Sequence, residues 1–136
     1  MNNKIFSLLS ISILSLFVIF SGCKSDDPDT EEYIIYIDSI IHPDTINSGE
    51  DLAIKFYGVI GENGCYEFDR FVPVYTTGNL SITTYGIHTF SDMCTEILPM
   101  LNGQTLLVSD IAAGDITIEA VQSVDSTIVH TVFVRE

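Results

Sequence analysis

The feature that most constrains this chain is a period of two. From Tyr33 onward, short runs of β-branched and aromatic residues alternate with polar ones, and Gly, Pro, Asn and Asp separate the runs. Leu52, Ile54 and Phe56 alternate with Ala53, Lys55 and Tyr57, and Ile116, Ile118 and Ala120 alternate with Asp115, Thr117 and Glu119. In an extended chain successive side chains point to opposite faces, so this alternation buries one face of a sheet and leaves the other in water. No long stretch repeats at helical spacing, which excludes a helical bundle and makes the body all-β. Seven strands are predicted, near 33–41, 52–60, 66–76, 79–85, 105–109, 115–121 and 127–134, with room for one helical turn at 94–100. Turn chemistry agrees at Pro43-Asp44, Asn47-Ser48-Gly49, Thr77-Gly78-Asn79 and Ala112-Ala113-Gly114.

The amino-terminal region follows different rules. Lys4 precedes an apolar stretch, 5–20, broken only by serines. At 16 residues it falls short of the roughly 20 that a spanning helix needs, and it reads as the charged and hydrophobic regions of a signal peptide. It ends in Phe20-Ser21-Gly22-Cys23. This ending resembles a bacterial lipobox, with an aromatic Phe20 where the family carries a smaller aliphatic residue. The resemblance implies cleavage before Cys23 and a lipidated Cys23 as first residue of the mature chain. Next come Lys24, Ser25, Asp26, Asp27, Pro28, Asp29, Thr30, Glu31 and Glu32, with five acids in nine residues. Such a stretch cannot bury enough surface to fold. As a tether it reaches at most ~30 Å. A lysine followed by aspartates after a lipidated cysteine also resembles the export signal of Bacteroidota lipoproteins. That resemblance implies an outer-membrane protein facing the cell exterior; a plain spacer, with the domain on the periplasmic face, is the alternative. The domain plan is therefore signal peptide 1–22, lipidated cysteine and tether 23–32, and β-domain 33–136.

Composition supports this division. Hydrophobic residues make up 46% of the chain, but they are concentrated in the leader, while all 19 acids follow Ser25. Against them stand 5 Lys+Arg, giving a net charge of -14. Neutralising phosphates requires a basic footprint that these residues do not supply, so nucleic acid is excluded as a partner.

The run Ile46-Asn47-Ser48-Gly49-Glu50-Asp51-Leu52-Ala53-Ile54-Lys55-Phe56 resembles the entry into the second strand of bacterial immunoglobulin-like domains. With seven strands in 104 residues, this implies a seven-stranded immunoglobulin-like or fibronectin-like Greek-key sandwich. With Cys23 assigned to lipid, Cys65 and Cys94 form an even pair in an exported protein, and a disulfide is their expected state. It would pin a long segment, 86–103. The pattern around Cys65 and Cys94 also resembles small lipoproteins of the Bacteroidota, a likeness that implies no activity.

No G-x-S-x-G or H-E-x-x-H motif occurs, no D-x-D-x-D-G loop offers a calcium site, and His88, Met93, Cys94 and Met100 lack the two histidines and free thiolate of a blue-copper centre. No enzyme activity, cofactor or metal is expected. Aromatic residues cluster in the middle third, and Tyr66, Phe68, Tyr85, His88 and Phe90 form the candidate contact surface. Phe68 and Phe71 fall on opposite faces of an ideal strand unless a bulge turns both inward. The expected function is that of a lipid-anchored binding or accessory module of the bacterial surface, with the membrane and a protein or glycan as partners. The alternative is an inhibitor or ligand-binding protein acting through 86–103.

Overall fold

The computed structural model describes residues 28–122 and 126–136, so the predicted signal peptide and Cys23 lie outside the described residues. The described chain is all-β. Nine strands run in order: β1 Thr30–Ile34, β2 Ser39–Ile41, β3 Thr45–Asn47, β4 Leu52–Val59, β5 Tyr66–Thr76, β6 Asn79–Thr89, β7 Met100–Val108, β8 Gly114–Val121 and β9 Thr127–Arg135. Among the described residues there is no helix, and the turn allowed at 94–100 is absent: Gly64 N–H donates to Thr95 O and Ile60 N–H to Pro99 O, so the segment hydrogen-bonds to the 60–64 loop.

The strands form two sheets that enclose one core. A three-stranded sheet has the order β2-β4-β7. The six-stranded sheet runs β1-β6-β8-β9-β3, with β5 also on β6. Strand β6 is its spine. One edge pairs antiparallel with β5 along nearly its whole length; the other is divided between β8, parallel at 79–83, and β1, antiparallel at 85–89. Alternation does what the sequence implies: Leu52, Ile54 and Phe56 from one sheet meet Leu80, Ile82, Ile116 and Ile118 from the other, all essentially inaccessible to water. Burying each large aliphatic side chain stabilises the fold by about 1.5–3 kcal/mol.

Nine strands replace the expected seven because the first expected strand, 33–41, is two elements on different sheets. Ile35 N–H donates to Thr84 O of the large sheet, while Asp38 N–H donates to Tyr57 O of the small one. Ile35 and Ile37 are both buried where the chain crosses between the layers, and Gln122 Nε2 donates to Ile37 O at 2.9 Å. The remaining addition is β3, which lies parallel to β9. The expected turn follows it: Gly49 has φ +83°, Glu50 N–H donates to Asn47 O, and Asn47 N–H donates to Glu50 Oε2 at 2.8 Å, holding that carboxyl below its usual range. Strands β6 and β7 are longer than expected, which reduces the predicted loop 86–103 to 90–99.

Candidate functional site

The loop 90–99 is built from its neighbours. Cys65 and Cys94 are joined as expected, with their Cα atoms 5.3 Å apart. Around this bond, Thr89 N–H donates to Cys65 O at 2.9 Å and Asn63 Oδ1 accepts from Cys65 N–H at 2.9 Å. Gly64 is required by close approach, because a Cβ there would run into the Thr95 hydroxyl. Phe90 N–H donates to Asp29 O at 2.9 Å, so the described chain enters the domain beside this loop.

An aromatic row leads from the core to the loop. Tyr33 packs edge-on against Tyr66 with ring centroids 5.6 Å apart, Tyr66 stacks on His88 at 4.2 Å with planes only 9° apart, and His88 meets Phe90 edge-on at 4.5 Å. Tyr66 and His88 are direct cross-strand partners of β5 and β6, which places both rings on one face. At the inner end of the row, the Tyr33 hydroxyl donates to Ile60 O at 2.5 Å. Burial, and then the neighbouring Tyr66, push its pKa up to about 12. Gly86 leaves room for this ring, since a Cβ there would sit 2.6 Å from the Tyr33 hydroxyl.

Of the five residues proposed from sequence, the structure therefore unites Tyr66, His88 and Phe90. Phe68 goes elsewhere. The β5–β6 register shifts between Phe68 and Arg70, and this bulge turns both Phe68 and Phe71 inward, 4.8 Å apart, with Phe71 4.5 Å from the buried Phe56 ring. Tyr85 alternates to the outer face, where the Arg70 guanidinium lies 4.8 Å from its ring centroid. Arg70 is also paired with Glu32 at 2.6 Å and with Asp69.

The structure adds exposed apolar residues near this candidate surface that sequence reasoning did not place there. Met93 is 90% exposed and Ile97 68%, and Leu98, Met100 and Phe90 are each more than half exposed. Large apolar side chains gathered on an ordered loop mark an interaction surface more often than scattered ones do. Their sequence signal was present, as apolar residues interrupting an acidic segment next to a cysteine, but exposure is not visible from residue type.

Comparison with family models, curated proteins and solved structures finds no match to this chain. Function must be read from the surface itself. At the opposite end of the sandwich, Ala113, Gly114, Phe133 and Arg135 help line a shallow depression of about 400 Å³. Among the described residues, no helix is long and apolar enough to cross a membrane, and no three His, Cys, Asp or Glu side chains converge as a metal cluster.

Proposed function

We propose that this chain is a non-enzymatic, lipid-anchored binding or accessory module of a bacterial cell envelope, held by Cys23 and binding a protein partner through the 90–99 loop. The observation that carries this reading is the set of exposed apolar side chains, Phe90, Met93, Ile97 and Leu98, on a loop fixed by the Cys65–Cys94 bond. A loop already ordered in the free protein loses little conformational freedom on binding, so its apolar area converts more fully into affinity. The lipobox-like 20–23 segment and acidic tether support attachment to the outer membrane with the domain facing outward. An immunoglobulin-like lineage is supported by the order β2-β4-β7 and by the β8–β9 hairpin, which match strand neighbours of that fold; the parallel β6–β8 pair departs from it.

The test is affinity capture from crosslinked envelopes with the full chain and with Ile97→Asp/Leu98→Asp. A protein retained by the wild type and lost with the variant supports the reading; identical sets overturn the assignment of the loop. The same rigid loop also favours the second reading, an inhibitor. That reading requires the captured protein to be one hydrolase at equal stoichiometry whose activity falls on binding.

A further inference from the structure

We propose that His42 and His130 form a two-nitrogen site for a divalent transition-metal ion, copper(II) in preference to nickel(II) or zinc(II). They are 88 residues apart in sequence, yet His42 Nε2 lies 3.0 Å from His130 Nδ1, with ring centroids 5.1 Å apart. The protonation of the first ring follows from its other contact. His42 Nδ1 is 2.9 Å from Pro43 O, and since a carbonyl oxygen only accepts, Nδ1 carries the hydrogen and Nε2 presents a lone pair. A backbone carbonyl fixing the far nitrogen in this way is the usual support of a metal-binding histidine. In the metal-free pair that lone pair accepts the His130 Nδ1–H. When a metal binds, His130 keeps its hydrogen on Nε2 instead, and both rings turn about their side-chain bonds so that the two lone pairs converge on an ion beside the line between the nitrogens. An ion on that 3.0 Å line would be only about 1.5 Å from each.

The spacing suits this exchange. Two imidazole nitrogens bound side by side at about 2.0–2.1 Å from one ion stand about 2.9–3.3 Å apart, depending on coordination angle. Both residues are held by packed backbone, which leaves their rings free to turn toward a shared ion. His130 belongs to β9, and His42 lies on the β2–β3 link between buried Ile40 and Ile46, where Phe133 N–H donates to Asp44 O at 3.0 Å. Since no third His, Cys, Asp or Glu completes a cluster among the described residues, the ion keeps open positions for water or for a donor from another molecule. Imidazole donors and the rising affinity of divalent ions up to copper select the metal. A bound ion would tie the link that crosses between the sheets to β9.

Copper(II) alone is the probe, added to the full chain as Cys23→Ser so that no free thiol competes. The expected electron paramagnetic resonance spectrum carries two coupled imidazole nitrogens. His42→Gln and His130→Thr should each weaken binding by about a hundredfold, because the second imidazole otherwise acts at high effective concentration. Their metal-free melting curves establish that each variant is folded, and if one is not, the other decides. An oxygen-only signal from surface carboxylates, or a two-nitrogen signal that survives either substitution, overturns the site.

Discussion

Single side chains show where local pattern stops being informative. Thr84 is 1% exposed and its hydroxyl has no partner, so it occupies a core position with a polar atom that contributes nothing there. Thr84→Val should raise unfolding stability by about 1 kcal/mol, read as a higher urea midpoint at unchanged slope. Tyr33 behaves oppositely, because its hydroxyl is used. The unfolded chain releases this proton near pH 10.0, the folded one only at about 12, so the native state holds more protons between those values. Stability should therefore be intact below pH 10, fall as pH rises through the window, and decline less steeply in Tyr33→Phe. Urea midpoints at about pH 9 and about pH 11 give the comparison. The histidine pair was illegible in the sequence because its members meet only through the parallel docking of β3 on β9, and no spacing rule spans 88 residues.

At the level of strands, legibility followed how local the stabilising partner is. Strand β5, Tyr66–Thr76, has the bounds its composition predicted, and β4, β8 and β9 differ by one residue. Each alternates strongly or leads into a clear turn, such as Gly78 with φ +80°. The misses are elements set by distant neighbours: β6 continues to Thr89 because β1 and β5 flank its end, and 33–41 splits because two sheets compete for it. The disulfide was readable from cysteine arithmetic, whereas the exposure of Ile97 and Leu98 was not. Removing the bond with Cys65→Ala/Cys94→Ala should cost about 3.6 kcal/mol on the chain-entropy account. Melting should then fall by about 15 °C, and amide exchange should quicken first at Gly64 and Thr89, which hydrogen-bond across the pinned region.

For the whole molecule, the tether and the loop meet at one place. Asp29, whose carbonyl holds Phe90, is six residues from Cys23. At most ~20 Å of chain separates them. A lipid on Cys23 would thus keep the 90–99 surface close to the bilayer and direct it toward membrane-associated partners. Cys23→Ser should move the protein from the membrane pellet to the supernatant after alkaline wash, and protease shaving of intact cells should remove peptides from Tyr33 onward if the domain faces outward. Position along the chain adds a consequence in time. The β5–β6 hairpin is local, and its open end places Cys65 beside Thr89, five residues before Cys94. Hairpins close in about 1–10 μs, far faster than thiols oxidise. A chain delivered amino end first would therefore bring the two thiols within reach of each other, separated by at most five residues of chain (~17 Å), once residue 94 emerges, while β7, β8 and β9 are still to come. The covalent bond can be made on a half-delivered protein, and the later strands then assemble on a template that is already closed.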